Sequence, residues 1–373
     1  MPTLADVVDL LHSWYPPSTA DVWDAVGLVA GHPQDHVSKV MFAVDPTLEV
    51  AQEAVEWGAD LLVVHHPLFL SAVHGVAVTT PKGRTLHTLM QGGCALLTAH
   101  TNADQAVDGV SEALARALGL RDLTPIRPAA GTPLDKVVTF VPREHAESVR
   151  AALAAAGAGA IGDYDSCTFS TPGEGRFRPL DGAAPVIGDV GSLEVVLETR
   201  VETVLPRSRR ADVVRALLAA HPYEEAAFDV IELAQTGTSP TGTGRIGTVP
   251  EMSLRDFAAQ VATALPSTAQ GVRVAGDPDR VVRRVAVCGG AGDFLLDELA
   301  SSADVDAYVT SDLRHHRAGE FVEFGGPGLV DVAHWAAEWT WLPVVEAKLR
   351  AVMGDTVGTR VSTRCTDPWQ FRV

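Results

Sequence analysis

The chain has 373 residues, and its 29 lysines and arginines against 47 aspartates and glutamates give a formal net charge of −18. This length predicts two or three domains and suffices to bury real hydrophobic cores. Because the chain is acidic and has no basic stretch, its charge excludes binding along DNA or RNA and on anionic membrane surfaces.

Targeting signals and disulfides are not expected either. The apolar stretches are too short to span a bilayer, and the acidic N-terminus does not resemble a signal peptide. The four cysteines are scattered without CxxC spacing, which is typical of reduced thiols. We therefore expect a cytoplasmic protein with no membrane partner.

The first third of the chain alternates between helices and short apolar strands, after an opening helix that ends before Pro16. This alternation indicates a largely parallel α/β sheet covered on both faces. The predicted strands are Lys39–Val44, Leu61–Val64 and Ala95–Ala99, and the helices between and after them are Leu48–Trp57, Thr85–Gln91 and Val110–Leu118.

A linker rich in proline and glycine at Pro125–Pro133 interrupts this pattern. The next segment has the β-α-β-β-α-β order that is typical of a ferredoxin-like domain. Its predicted elements, with a glycine-rich turn between the second and third strands, are Lys136–Val141, His145–Ala156, Tyr164–Thr171, Leu193–Val204, Arg209–His221 and Ala226–Glu232.

After a second linker at Ala234–Gly247, the α/β alternation resumes. We therefore predict a two-half α/β scaffold, residues 1–130 and 245–373, with a ferredoxin-like α+β domain inserted at residues 134–235. The predicted elements of the second half are Leu254–Leu265, Val281–Cys288, Phe294–Ser301, Ala307–Thr310, Ala318–Phe324, Gly328–Val332 and His334–Trp339.

Two adjacent histidines, His65 and His66, directly follow a predicted strand and precede Pro67. Neighbouring side chains on a strand point to opposite faces, so both can serve one site only where the strand ends. Pro67 predicts such an end, since it cannot join the ladder, and ligands bind at the carboxyl ends of parallel strands. The pair alone is also compatible with two surface histidines.

Two further groups of potential ligands follow other strands. Asp104 lies four residues after His100, just beyond a strand, although an aspartate there is also typical of a helix cap. His334 and Glu338 are separated by four residues and share one helix face. Such a pair suits Zn, Mn or Fe, and it is equally common as a surface polar pair.

Asp312, His315 and His316 form a fourth polar group after a strand. They suit a supporting or proton-transfer role near a metal, or merely a polar loop. Together the four groups follow strands of what we expect to be one sheet, and five residues have the types required by a pair of bridged metal ions. Those five predicted ligands are His65, His66, Asp104, His334 and Glu338.

With these residues the chain resembles the NIF-three-like dinuclear metal-binding family, whose members are often labelled GTP cyclohydrolase I type 2 homologues. Ser311 stands where the family usually has glycine, and Ala25 where it has asparagine, but neither is a predicted ligand. The stretches that carry the resemblance are Trp23–Leu28, Val64–Leu68, His100–Asp104, Val287–Gly292, Thr310–His316 and Val332–Glu338, and, in the insert, Gly162–Phe169, Gly173–Pro179 and His221–Glu225.

The resemblance implies two divalent ions held by the five ligands, a toroidal homohexamer and an insert similar to PII proteins. It suggests a hydrolase acting on a small molecule such as a nucleotide. Asn102, Gly289 and Gly290 are then candidates for substrate binding, with Gly289–Gly292 either cradling a phosphate before a helix or forming only a tight connection. Nitrogen and oxygen ligands do not distinguish Zn, Mn, Fe, Ni and Co.

Two function hypotheses remain open at this stage. The first is a metal-dependent hydrolase in which a histidine such as His315 or His316 supplies a proton. The second is a non-enzymatic metal-binding or regulatory protein whose insert senses a metabolite or contacts a partner. In the insert, His221–Glu225 could cover the metal cavity or simply end a helix, and Gly173–Pro179 is either a flexible turn or a ligand loop.

Overall fold

The computed structural model describes residues 1–234, 239–302 and 304–373. The described chain divides into two units, the first made of Met1–Ala129 with Pro240–Val373 and the second of Ala130–Ser239. Gln235, the last residue of the predicted insert, lies outside the described residues, as does the 235–238 part of the predicted linker. In the part of the chain that is described, no helix has the length and apolar character needed to cross a membrane.

The N-terminal segment of the first unit alternates between helices and strands. Its helices are α1 Leu4–Trp14, α2 Leu48–Trp57, α3 Pro81–Gln91, α4 Thr101–Asp104 and α5 Val110–Ala117. Its strands are β1 Gly27–Ala30, β2 Lys39–Ala43, β3 Leu61–Val64, β4 Ala95–Thr98, β5 Arg121–Thr124 and β6 Arg127–Pro128.

The second unit contains β7 Leu134–Pro142, α6 Ala146–Ala155, β8 Thr168–Phe177, β9 Glu194–Pro206, α7 Arg210–Ala220 and β10 Phe228–Glu232. Its four strands form an antiparallel sheet in the order β10-β7-β9-β8. Valines and leucines on one sheet face pack against α6 and α7 in a core of their own. Helix α7 ends at Ala220, and His221 then turns the chain into an extended conformation before Pro222.

The C-terminal segment returns to the first unit. Its strands are β11 Gly242–Thr243, β12 Arg245–Ser253, β13 Arg273–Ala275, β14 Val281–Ala291, β15 Ala307–Ser311, β16 Gly328–Val332 and β17 Gly358–Val361. Its helices are α8 Leu254–Ala264, α9 Leu296–Ala300, α10 His315–Glu323, α11 His334–Trp339 and α12 Leu342–Met353.

The expectation of one sheet for all four polar groups is wrong, because the first unit has two large sheets. One has the order β1-β4-β3-β2-β17 and the other β13-β16-β15-β14-β12-β5. The two chain segments exchange strands, since the C-terminal β17 completes the first sheet and β5 completes the second. Both sheets are parallel at their centres and antiparallel at one or both edges.

The main hydrophobic core of the first unit lies between its two sheets. Alternate residues of each strand enter it, for example Leu61 and Val63 of β3 and Val285 and Val287 of β14. The residues between them enter separate cores on the outer faces, beside α2 and α3 or beside α9 and α10. This alternation follows from the two-residue period of a strand, and it makes a mixed α/β fold with buried sheets.

Several predicted boundaries differ from the observed ones, and three of the differences bear on the candidate sites. β8 runs to Phe177, so the predicted turn at Gly173–Pro179 is largely strand; as an edge strand, β8 tolerates its proline. β14 continues through Ala291, and a 3-10 turn at Asp293–Leu295 then leads into α9, so the predicted helix Phe294–Ser301 is shorter than expected. β12 begins at Arg245, inside the predicted second linker.

Candidate metal centre

The carboxyl ends of three strands converge between the two sheets. His65 and His66 follow β3, while His100 follows β4 at the start of the short helix α4. From the other sheet, β16 leads directly into α11, which carries His334 and Glu338. Ligand positions after parallel strands meet here because both sheets present their carboxyl ends to the same space.

Glu338 is at the middle of this cluster and is 2% exposed. Its Oε1 lies 2.8 Å from His334 Nε2 and 3.4 Å from His65 Nε2, and its Oε2 lies 3.0 Å from His66 Nε2. Asp104 approaches from the first sheet, with Oδ1 3.6 Å from His65 Nε2. The structure therefore brings together all five predicted ligands.

Four imidazole rings are held in the same way, through Nδ1. In each ring Nδ1–H donates to an oxygen acceptor at 2.7–2.9 Å, which leaves Nε2 directed at the cluster. Metal-binding histidines are typically oriented by such an outer hydrogen bond. The pairs are His65 with the Ala99 carbonyl, His66 with Asp45, His100 with Asp24 and His334 with Asp312.

Several polar atoms at the centre have no partner. Among the described residues, six buried side-chain nitrogen or oxygen atoms form no hydrogen bond, and His65 Nε2, Asp104 Oδ1 and Glu338 Oε2 are three of them. Glu338 Oε2 lies at ion-pair distance from His66 Nε2 without a hydrogen bond. Unpaired buried polar atoms are costly. Their convergence is explained if they bind an ion, so the residues present fit a metal.

Two donor groups overlap at His66. One comprises His65, His66 and His100 and the other His66, His334 and Glu338, and within each group the ligand atoms lie within 4.8 Å of one another. His100 was not among the predicted ligands, although it too follows a strand directly. Asp45 after β2 could have been found by the same rule.

The charges of the cluster stabilise one another. Burial raises the pKa of Glu338, but the neighbouring imidazoles of His66, His334 and His65 hold it well below its ordinary value. Burial lowers the pKa of His66, but Glu338 and Asp45 raise it to about 10. Burial opposes protonation of His334 too, and Glu338 with Asp312 raises its pKa to about 11. These two histidines are therefore cationic at neutral pH in the metal-free protein.

His100 and Asp104 have the opposite character. Burial, together with the neighbouring His65, lowers the pKa of His100 to about 4, despite its hydrogen bond to Asp24. Burial raises the pKa of Asp104 to about 7. His100 is thus a neutral base at pH 7, whereas His66 and His334 hold protons.

Metal uptake is expected to release protons. A histidine binds metal through a neutral nitrogen, so His66 and His334 must each lose a proton at pH 7. The apparent affinity should therefore rise roughly tenfold per pH unit for each proton, from about pH 6 to 9. Calorimetric titration with Zn²⁺ in buffers of different ionisation enthalpy measures the number of protons released.

Two further results bear on this expectation. The His66→Ala variant should release about one proton fewer, and heats that do not depend on the buffer would contradict the prediction. In the metal-free protein the raised pKa values stabilise the fold fully below the ordinary value of 6.5. This contribution declines as the pH rises through about 10 for His66 and 11 for His334.

The centre opens into a cavity of about 520 Å³, a size typical of small-molecule sites. Trp23 and Phe294, both more than half exposed, line it together with Arg127. The Trp23 and His100 rings are in edge-to-face contact, and the Arg127 guanidinium lies over the Phe294 ring. The walls away from the ligands therefore offer aromatic surface and one positive charge.

The remaining predicted site residues are placed differently. His315 and His316 are exposed on α10, pack against each other and do not line this cavity. Asn102 is buried, and its amide donates to the Tyr15 carbonyl while its oxygen accepts from the His100 N–H. These hydrogen bonds occupy Asn102 in supporting the β4–α4 turn.

Asp312 and the two glycines do reach the centre. Asp312 has a positive φ of 59° and holds His334, and the neighbouring Leu313 N–H donates to the buried Asp331. Gly289 and Gly290 line the cavity as part of β14. A Cβ on Gly290, whose φ is +71°, would lie 2.6 Å from the Glu338 carboxylate, so glycine is required beside the ligands.

The strands of the two sheets end around a cluster of histidines and carboxylates. This arrangement defines an α/β protein with a candidate metal site. A family model described as Duf34/NIF3 (NGG1p interacting factor 3) matches residues 2–368. The chain belongs to this family, which confirms the family predicted from the motifs.

Relatives and solved structures agree over the full length. Proteins named GTP cyclohydrolase 1 type 2 homolog are 52% identical over 370 residues in Mycobacterium tuberculosis (99% of this chain, 97% of that protein) and 39% identical over 369 residues in Bacillus subtilis (98% and 97%). A Bacillus cereus protein related to NIF3 has a TM-score of 0.81 at 36% identity, covering 100% of this chain and 99% of that one. A Staphylococcus aureus structure has a TM-score of 0.83 at 28% identity, with the same coverage.

Proposed function

We propose that the chain binds two divalent metal ions between its sheets and hydrolyses a small molecule such as a nucleotide. The observation that carries this proposal is that the two oxygens of Glu338 face different histidines, with the unpaired Asp104 Oδ1 beside His65, so the potential ligands surround one carboxylate on two sides. The name of the relatives, GTP cyclohydrolase 1 type 2 homolog, supports a nucleotide as the class of substrate.

His65, His66, Asp104, His334 and Glu338 would hold the ions. Glu338 places both carboxylate oxygens beside histidine nitrogens, so either oxygen would be available as a ligand atom. Nitrogen and oxygen donors of this kind suit Zn, Mn, Fe, Ni or Co. A divalent ion bound here supplies a Lewis acid and lowers the pKa of a water molecule on it.

His100 is our candidate for proton transfer, in place of His315 and His316. No carboxylate oxygen of Glu338 or Asp104 lies within 4 Å of its ring nitrogens, unlike the other histidines of the cluster. Its Nδ1–H donates to Asp24, so its Nε2 faces the cavity with a free lone pair. A neutral imidazole oriented by a carboxylate is suited to accept a proton from water.

The cavity also suits an anionic, planar substrate. Arg127 supplies the positive charge, although it is shared with Glu298 at 2.8 Å, and Trp23 and Phe294 supply aromatic surface. The acidic net charge of the chain does not oppose this, because two bound divalent ions would add four local positive charges.

For the second unit we propose a PII-like fold that senses a metabolite or contacts a partner. Its β-α-β-β-α-β order, with the strand order β10-β7-β9-β8, supports a ferredoxin-like α+β domain. Membership of the family does not assign an activity to this unit, and we place no catalytic residue in it.

Turnover tests the proposed hydrolase. Protein loaded with Zn, Mn, Fe, Co or Ni is screened against nucleotides and phosphoesters, with the His65→Ala/Glu338→Ala double variant as background. We expect wild-type turnover, and in His100→Ala an unchanged metal content with kcat reduced at least about a hundredfold, because only the proton acceptor is lost.

His315→Ala and His316→Ala are matched controls on exposed histidines, and their kcat should stay within about twofold of wild type. If the wild type binds two ions per chain but turns over no substrate beyond the double variant, the hydrolase proposal fails. The chain would then be a metal-binding or regulatory protein without enzymatic activity.

A further inference from the structure

A second cavity, of about 580 Å³, lies entirely within the second unit. Its floor is the sheet face opposite α6 and α7. Phe140 of β7 and Glu198 and Arg200 of β9 line it, and they alternate with Val141 and Val201, which enter the core under the helices. The cavity therefore occupies the sheet face that the helices of this unit leave uncovered.

The floor is hollow because β8 has glycine at two successive positions on this face. Gly173 pairs with Glu198 in an unbroken β8–β9 register, so no β-bulge accounts for the glycine. A Cβ on Gly173 would have nothing within 4 Å, whereas one on Gly175 would collide with the Glu198 carboxylate. Glycine inside a regular strand weakens it and often marks the close approach of a ligand.

A long loop forms the roof of the cavity. It connects Phe177 to Glu194. Loops longer than roughly 12–15 residues are uncommon within domains and are usually functional, and this loop exceeds that length. The Gly191 N–H donates to the Pro179 carbonyl at 2.8 Å and closes the loop at its base. The Ala184 N–H donates to Glu224 at 2.9 Å, which ties the tip of the loop to the segment after α7.

The lining combines apolar walls with charges of both signs. Phe140, Phe177 and Tyr223 supply aromatic surface, and the Phe177 and Tyr223 rings are in contact. Among the described residues, neither the guanidinium of Arg178 nor the carboxylate of Glu225 has a hydrogen bond or ion pair, and both line the cavity.

A second carboxylate is positioned more firmly. Tyr223 Oη–H donates to Glu198 Oε1 at 2.8 Å and so holds that side chain on the floor of the cavity. Arg176 and Arg200 also line the cavity but are paired with Glu174 and Glu202. Among the described residues, the lining charges without a partner are thus those of Arg178 and Glu225, while the Glu198 carboxylate is held on the floor by Tyr223.

We propose that this cavity binds a small zwitterion, an α-amino acid with an aromatic or large aliphatic side chain. The ligand's ammonium group is complementary to Glu198 and Glu225, and its carboxylate to Arg178. Its side chain occupies the open space over Gly173, against Phe140 and Tyr223. A volume of this size accommodates an amino acid, and apolar walls with a few placed charges are typical of such sites.

The test uses the full-length protein and calorimetric titration with phenylalanine, tyrosine and leucine. At least one should bind with a Kd at or below about 1 mM. 3-Phenylpropanoate, which lacks the ammonium group, and phenethylamine, which lacks the carboxylate, should bind at least about tenfold more weakly than phenylalanine, since each leaves charged groups of the cavity unpaired.

Two variants and two matched controls locate the site. Gly173→Val fills the open space with a residue that strands favour, and Arg178→Gln removes the free cation; each should weaken binding at least about tenfold. Ser170→Val, on the opposite face of β8, and Arg215→Gln, exposed on α7, should bind as wild type does. Circular dichroism checks that every variant is folded.

Two results would overturn the proposal. One is no binding by wild type at amino-acid concentrations tenfold above the expected Kd limit of about 1 mM. The other is equal binding by wild type and folded Gly173→Val. Light scattering measures the number of chains per particle. If wild type binds no amino acid and Gly173→Val changes this number, the face would instead be assigned to contacts between copies of the chain. Binding should persist in the Glu338→Gln variant, because the cavity shares no residue with the metal centre.

Discussion

Glu338→Gln is expected to lower the affinity for divalent metal at least about a hundredfold. Replacing a residue that only supports a ligand commonly costs 10–100-fold, and Glu338 is itself the carboxylate that contacts three histidines. Glutamine has nearly the same shape but no charge, so the fold should persist. Elemental analysis after dialysis against a weak chelator should show about two ions per chain in wild type and fewer than one in the variant.

Glu323→Gln is a suitable control, because Glu323 is an exposed glutamate at the end of a helix. Its metal content should equal that of wild type. Retention of two ions per chain by Glu338→Gln would refute the proposal that Glu338 is a metal ligand. Retention of one ion would show that one of the two groups sharing His66 binds independently.

Arg245→Met is expected to destabilise the first unit by about 3–5 kcal/mol. Arg245 is 1% exposed, and its guanidinium donates to the carbonyls of Ala106, Gly242 and Gly244 at 2.7–2.8 Å and to Glu112 at 3.3 Å. It thereby joins the N-terminal segment to the chain returning from the insert, and methionine would leave these acceptors buried without a donor.

Urea unfolding followed by tryptophan fluorescence measures this effect in the first unit alone. The seven tryptophans all lie outside residues 130–239, so the second unit does not contribute to the signal. Arg283→Met is the matched control: Arg283 is also a strand arginine paired with a glutamate, Glu251, but both are exposed. Its expected cost is at most about 1 kcal/mol.

The Glu112→Gln/Arg245→Met double variant separates the two parts of the effect. It removes the carboxylate charge that the single variant leaves without Arg245, so part of the stability should return. The recovery should be incomplete, because the carbonyls stay unpaired and Glu112 also pairs with Arg116 in the native protein. A cost below about 1 kcal/mol for Arg245→Met would contradict the structural role of this arginine.

Much of the core could be predicted from the sequence. The strands Leu61–Val64 and Gly328–Val332 and the helices Leu48–Trp57 and His334–Trp339 have the predicted bounds. Each is a short apolar run or an amphipathic turn with clear flanking residues, so local pattern and burial agree. The polar residues just after these elements then indicated where ligands would be.

Strands with weak local signals were missed or placed only in part, since the strand predicted at Tyr164–Thr171 lies at Thr168–Phe177. Arg245–Ser253 begins in a sequence rich in glycine and threonine, and its pairing with β14 and β5 comes from distant parts of the chain. Thr168–Phe177 contains a proline and two glycines and is stabilised only along one edge, by β9. In both cases long-range hydrogen bonds override a local preference for turn.

The roles of the histidines could likewise be predicted only in part from the sequence. The pattern of strand ends predicted His65, His66 and the pair on α11, but it could not rank His100 above His315 and His316, since all follow strands. The ranking depends on where the side chains point. His100 is held by Asp24 across 76 positions of sequence, whereas His315 and His316 lie on the outer surface of α10.

By itself the sequence determined the alternation of elements, the family and the five candidate metal ligands that follow strand ends, because these are local patterns of apolar period and residue type. Only the tertiary structure decided that there are two sheets, that β5 and β17 are exchanged between them, and that Asp24, Asp45 and Asp312 orient the histidines. Those features depend on strand pairing and hydrogen bonds between distant residues, and no local period encodes such contacts.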